Sequence, residues 1–296
     1  LVIVQRTWSY LEPLFIGSAE VKRELPDDTA RFAKIDVDTK NILKSCGEIG
    51  NVLKACTQDG LLNTLERLQG ELAQCKKSLQ DFLSKEITPY VDQWEEEGRV
   101  PKSVFKKLGD MGFFGLGMEE KFGGMDTDVF YTVILIEELN KCRSGGTAAS
   151  LLAHSTLAME HIKQQGNDHL KQNYLSPSIK GEKVGCLAIT EPHAGSDVAS
   201  LKTKAIKKGD HYVVSGSKTF ITNGVHADFI VAAVRTGKEG YDGISMMVID
   251  HHSEGIEARP LKKLGWHASD TAEISYENTS YTVDKLDLIA THEEKR

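Results

Sequence analysis

The sequence contains no run of about 18 apolar residues, so no segment of it is apolar enough to cross a bilayer as a helix. It has no concentrated positive face. Its 36 Lys and Arg stand against 43 Asp and Glu, a net charge of −7, which argues against a nucleic-acid partner, because neutralising phosphates needs clustered basic side chains. It also has no C-x-x-C pair. The cysteines Cys46, Cys56, Cys75, Cys142 and Cys186 are scattered and odd in number, and read as reduced, mostly buried thiols of an intracellular protein. No G-x-x-x-x-G-K-[ST] occurs, which removes P-loop nucleotide chemistry. The chain opens on Leu1 without an Arg-rich, Ser-rich amphipathic leader, leaving open a start elsewhere or a leader already removed. What remains is an ordinary globular mixture, 40% hydrophobic and 27% charged over 296 residues, with room for two or three domains.

The apolar periodicity changes twice along the chain. Residues 1–24 form one amphipathic stretch carrying Trp8, Tyr10 and Phe15, and Pro13 marks a helix end or kink there. Leu61, Leu65, Leu68, Leu72, Cys75, Leu79 and Phe82 then follow a 3.5-residue repeat, which predicts a helix with one apolar seam, whether in a hairpin, a bundle or a coiled coil. Helical spacing continues through Val104, Leu108 and Met111 and through Val133, Ile136 and Leu139, with a break at Gly123-Gly124. Beyond Val184 the period becomes two. The stretches at 202–206, 211–214, 229–234 and 244–249 read as short strands separated by Gly turns, which predicts a small β-barrel or sandwich.

The densest chemistry lies in Cys186 to Asp197, C-L-A-I-T-E-P-H-A-G-S-D, and in Thr219 to Gly224, T-F-I-T-N-G. The first closes an apolar run on Thr190 and turns through Glu191-Pro192 into Gly195, which permits close backbone approach, and Ser196, which offers a hydroxyl. Asp197 is placed to cap its own turn through a side-chain to backbone bond. Such a segment either holds a polar cofactor or is a polar turn between strands. The adjacent pair His251-His252 points to opposite sides in extended backbone, so no metal site is expected there or elsewhere.

These two motifs, in this order and at this separation, resemble the flavin-lining segments T-E-P-x-A-G-S-D and W-x-T-N-G of acyl-CoA dehydrogenases. Trp94 to Pro101, Met111 to Leu116, Lys121 to Gly124, Asn173 to Pro177 and Lys263 to Glu273 extend the resemblance over residues 83–284. Thr147 to Ile162 is similar to the family helix that borders the acyl-chain cavity, and a plain core helix explains it equally. A second resemblance, to the dynein heavy chain linker, is carried by Val4 to Phe15, Glu24 to Pro26, Arg31-Phe32 and Leu72 to Phe82, with the switch between the two near residues 79–85. The simplest account is a fusion, whether natural, from a gene prediction, or engineered.

The resemblances imply a multidomain α and β chain. It comprises an all-α segment at 1–82, an α-helical domain at 83–183 and a small antiparallel β-barrel domain of acyl-CoA dehydrogenase type at 184–290. They imply FAD as cofactor, with the Thr190 hydroxyl and the Ile189 to Thr190 backbone at the flavin's pyrimidine edge and Thr222 beside the hydride-accepting side of the ring. Gly195 and Ser196 would hold the pyrophosphate, Ser196 also touching substrate, and Phe220 would cover the ring where the family usually has tryptophan. His193 stands where glycine is common and reads as a turn substitution. The implied reaction is α,β-dehydrogenation of a fatty acyl-CoA. The family's catalytic glutamate comes from a C-terminal bundle to which nothing here corresponds, so no catalytic residue is assigned and the isolated chain is expected to turn over weakly or not at all. An electron-transfer flavoprotein, a homo-oligomer or a dynein-related protein are the implied partners, and a mitochondrial location is implied for the dehydrogenase part. The alternative is a non-catalytic helical interaction or scaffold protein that uses residues 1–82.

Overall fold

The computed structural model describes residues 61–127, 129–209, 211–281 and 288–290. The aromatic stretch at Trp8 to Phe15, and Cys46 and Cys56, lie outside the described residues. Among the described residues, those up to Gln74 fall in one compact unit and those from Cys75 onward in another. The seam predicted from Leu61 to Phe82 is a single helix, α1 (Leu61–Phe82), at whose end Leu79 and Phe82 are buried. Five longer helices follow: α2 (Val91–Glu97), α3 (Lys102–Asp110), α4 (Val129–Leu139), α5 (Gly145–Leu152) and α6 (Met159–Gln165). Their ends follow local chemistry. Gly98, at φ 74°, closes α2 with a left-handed cap whose N–H reaches the Trp94 carbonyl. The Ser144 hydroxyl accepts the Thr147 amide at 2.9 Å to start α5.

Among the described residues eight strands follow: β1 (Gly185–Ala188), β2 (Lys204–Lys208), β3 (His211–Ile221), β4 (Phe229–Arg235), β5 (Ile244–Asp250), β6 (Ile256–Pro260), β7 (Ala272–Tyr281) and β8 (Leu288–Ala290). They form one curled sheet in the order β6-β7-β3-β2-β4-β5-β8, with β1 beside β4. The sheet is antiparallel apart from the pairs that β1 and β2 make with β4. β4 is the apolar run F-I-V-A-A-V and is buried on both faces, as a strand covered on two sides must be. Alternation then sorts its side chains: Phe229 and Val231, with Val248 of β5, join the core of the helices, while Ile230, Ala232 and Val234, with Met247 and Ile249, join Cys186 and Ile274 on the other face. Helical domain and sheet therefore share one core.

His154, in the helical turn after α5, sits at that junction. Its ring is fully buried, with Phe105 and Phe114 edge-on at 5.5 and 4.8 Å. Nε2–H donates to the Ser178 carbonyl at 3.3 Å, and the Gly185 amide donates to Nδ1 at 3.1 Å, so both bonds require the neutral ring. Burial pulls its pKa from 6.5 to about 4. Between those values the unfolded chain takes up a proton that the folded chain refuses. Stability is thus complete above about pH 6.5 and falls toward about pH 4, by roughly 2–3 kcal/mol. Urea unfolding at about pH 7.5 and about pH 4.5 should show the native chain losing more stability on acidification than His154→Gln, whose amide makes both bonds without titrating. Equal losses would remove His154 as the cause.

Candidate functional site

β1 delivers the chain to Ile189 and Thr190, both half-buried at the strand end. Glu191 and Ala194 then close a tight turn through paired backbone bonds of 2.8 and 3.2 Å. Gly195 and Ser196 follow on the surface, and a Cβ built on Gly195 meets nothing within 4 Å, so this backbone is open to a ligand. Asp197 accepts the Ser200 amide on its carbonyl at 3.2 Å, and its carboxylate accepts the Ser200 hydroxyl.

What fixes this loop is beneath it. Glu191 is buried and accepts the amides of Lys202 and Thr203 at 2.7 and 3.0 Å and the ammonium of Lys218 at 2.8 Å. His193 Nε2 lies 3.2 Å from the same carboxylate. Burial pushes Glu191 upward, but the bonds from Lys218, Thr203 and Lys202 outweigh it and hold the carboxyl below its ordinary range. Burial pulls the Lys218 ammonium down against the opposing pull of Glu191. With three strong donors on one carboxylate, we read the pair as ionised. Lys218 also donates to the Ile189 carbonyl at 2.9 Å, and the Thr219 amide donates to the Thr190 carbonyl at 2.9 Å. Both carbonyls are thus taken up within the protein.

The second motif sits at the end of β3, where pairing with β7 shifts register between Lys218 and Ile221. Phe220 lies in this irregularity at φ 60°, with 69% of its surface exposed, and Thr222 is half-buried beyond it. A phenylalanine in the left-handed region costs about 1–2 kcal/mol, and with its ring exposed no core packing repays that strain. Phe220→Gly should therefore leave the melting temperature nearly unchanged, because relief of that strain offsets the roughly 0.5–1 kcal/mol of chain entropy that glycine adds. A fall as large as that of a core phenylalanine truncation, about 3–5 kcal/mol, would show that the ring is structural.

Asn223, also left-handed at φ 63°, ties the motif to α5: its carboxamide accepts the Ser150 hydroxyl at 2.5 Å and donates to the Ser150 carbonyl at 2.9 Å. Its amide reaches the Ser269 carbonyl at 3.2 Å, bringing in the loop before β7. There Lys263 donates to Trp266 O, Ser269 Oγ and Thr271 Oγ1 at 2.6, 2.7 and 2.8 Å, and Trp266 stands out at φ 57° and 62% exposed. A cleft of about 400 Å³ runs beside this loop, lined by Gly98, Pro260, Leu261, Lys262, Lys263, His267, Asp270 and Thr271. None of the six expected cofactor residues lines it. Of those six, Gly195, Ser196 and Phe220 are exposed, and Ile189, Thr190 and Thr222 are half-buried.

The structure thus brings Ile189, Thr190, Gly195 and Ser196 together on one loop. It ties that loop to the segment carrying Phe220 and Thr222 through Lys218 and Thr219. Sequence reasoning gave no role to Glu191, Lys218 or Asn223. Lys218 carried no local signal, since the bulge between Val214 and Gly216 breaks the alternation that would place it. His251 Nε2 donates to the Gly224 carbonyl at 2.7 Å, and among the described residues no group of three or more His, Cys, Asp or Glu is arranged to hold a metal ion.

A helical domain thus shares its core with a curled sheet, and two motifs meet at a strand end beside that junction. Residues 69–182 match the family model for the acyl-CoA dehydrogenase N-terminal domain and residues 186–279 the model for its middle domain. Over this region the chain belongs to the acyl-CoA dehydrogenase family, whose members depend on FAD. It is 37% identical over 213 residues to the short-chain-specific acyl-CoA dehydrogenase of Clostridium acetobutylicum, a match covering 71% of this chain and 56% of that protein. It is 32% identical over 215 residues to the mitochondrial long-chain-specific enzyme of Rattus norvegicus, covering 71% and 50%. A probable acyl-CoA dehydrogenase from Mycobacterium abscessus shares the fold with a TM-score of 0.70 and 39% identity, over 74% of this chain and 58% of that one. The chain spans about half the length of the curated relatives it matches, and these are bacterial as well as mitochondrial. Residues 1–87 match the model for dynein heavy chain, N-terminal region 2, which overlaps the first dehydrogenase model at residues 69–87.

Proposed function

We propose that this chain supplies the FAD-binding wall of an acyl-CoA dehydrogenase-type oxidoreductase, built from a helical domain at 83–183 and a sheet domain at 184–290. The observation that carries the reading is that Thr190, Gly195, Ser196, Phe220 and Thr222 are exposed or half-exposed on segments locked to each other by buried bonds. FAD supplies the hydride acceptor for α,β-dehydrogenation of an acyl thioester. The N–H groups and hydroxyl at Ile189 and Thr190 bind the polar edge of the ring, Phe220 and Thr222 cover it, and Gly195 and Ser196 take the pyrophosphate, with Ser196 also reaching substrate. We assign no α-proton base within the sequence, and expect slow or no turnover by this chain alone, since a wall open to water does not provide the dry pocket the chemistry needs. Electron-transfer flavoprotein is the proposed acceptor of the electrons. Relatives named for short and for long chains match comparably, so acyl length is not assigned.

Fluorescence titration with FAD, FMN and riboflavin tests this assignment. Because the wall includes a pyrophosphate site, FAD should bind the most tightly of the three, and Ser196→Ala should reduce that preference by about tenfold. Equal affinity for all three flavins would sink the roles of Gly195 and Ser196. A second reading, a non-catalytic helical interaction protein using residues 1–82, draws on the match of residues 1–87 to the dynein family. A folded chain with no affinity for any flavin favours it.

A further inference from the structure

Lys218 and Glu191 are ionisable groups with 0% and 1% side-chain exposure, 27 residues apart and paired at 2.8 Å. Charges are seldom placed so deep unless the position demands them, because their mutual attraction barely offsets the loss of hydration. Here the demand is visible in the bonds. The Lys218 ammonium holds the Ile189 carbonyl at one end of the first motif, and Glu191 holds the amides of Lys202 and Thr203 where that loop returns to β2. Thr219, next to Lys218, holds Thr190. Two residues beyond Lys218 stands Phe220, in a left-handed conformation that the strand irregularity imposes. One ion pair therefore spans the start of the loop, its return, and the base of the second motif.

We propose that Lys218 and Glu191 are positioning residues for the cofactor: the pair sets the distance between the Thr190–Ser196 loop and Phe220–Thr222, so that both arrive preformed. This rests on the flavin-binding reading above. An apolar pair of similar volume would fill the space equally, but would leave the Ile189 carbonyl and the Lys202 and Thr203 amides without partners. His193, the remaining ionisable side chain against Glu191, is 40% exposed and adds a contact from the solvent side.

The test is the double variant Lys218→Met with Glu191→Gln, which removes both charges and strands neither. Two quantities are measured against the native chain, amide hydrogen exchange without ligand and FAD affinity by fluorescence titration. The expected result is faster exchange, by about tenfold, confined to residues 188–203 and 217–224 with β5 unchanged, and FAD affinity lower by about tenfold. Exchange that is unchanged, or that rises equally across the whole sheet, overturns the proposal, as does a variant that binds FAD as tightly as the native chain. A native chain that takes up no FAD overturns the flavin reading itself, and the positioning role with it. Lys218→Gln with Glu191→Gln provides a second variant, which also leaves no buried charge and keeps a donor and an acceptor at the pair, and is expected to fold and to show the same segmental loosening to a smaller degree.

Discussion

Lys218→Met is expected to destabilise the folded chain by about 3–5 kcal/mol, enough to leave a domain of ordinary stability near its unfolding threshold. The methionine is close in size to the lysine stem and fits the cavity. The cost arises from what stays behind. Glu191, 1% exposed, loses its counter-ion at 2.8 Å while remaining too deep for water to replace it. Its bonds from Lys202 and Thr203 then favour a carboxylate that has lost its lysine counter-ion and keeps only the half-exposed His193 ring beside it, at 3.2 Å. The Ile189 carbonyl loses its partner as well. Glu191→Gln added to Lys218→Met should recover most of the loss, because the neutral amide removes the stranded charge. Chemical denaturation of the single and double variants measures both, and a single variant within about 1 kcal/mol of the native chain would show that the pair is not ionised in the folded state.

Gly109→Ala is the second large effect, expected at about 3 kcal/mol or more, from sterics alone. Gly109 lies in α3, where alanine would ordinarily stabilise a helix by up to about 1 kcal/mol. Here the added Cβ would stand inside contact distance of the backbone of Lys180 and Gly181, and a Cβ on Gly181, itself at φ 66°, would do the same to the Phe105 carbonyl. Backbone meets backbone at this crossing, so no side-chain rotation relieves it. The turn at 180–181 also directs the chain into β1, and displacing it moves the strand that carries Ile189 and Thr190. A melting temperature equal to or above that of the native chain would contradict this geometry.

Much of this architecture was legible because its periodicities are local. The seam from Leu61 to Phe82 is the helix it predicts, and the period-two runs at 211–214, 229–234 and 244–249 fall within β3, β4 and β5. The antiparallel β-domain was legible as a class, but the parallel union of β1 with β4 was not, since Gly185 meets Phe229 through a long-range pairing that no local pattern encodes. The two motifs stand out in the sequence because turn chemistry is written in Gly, Pro, Ser and Asp. Their supports do not. Lys218 reads as a solvent-facing strand lysine until Glu191, 27 residues away, is seen to neutralise it, and Asn223 reads as a turn residue until its amide closes on Ser150, 73 residues away. The dynein-like reading of the first 60 residues lies outside the described part of the chain, and the boundary proposed at residue 82 falls where the two family models overlap.

The central claim is that this chain by itself presents a preformed flavin wall. The most direct measurement is the visible absorption spectrum of the purified chain after incubation with excess FAD and desalting. A retained, structured flavin band, lost or weakened in the Lys218→Met with Glu191→Gln variant, is the expected result. A native chain that stays folded but emerges colourless would contradict it.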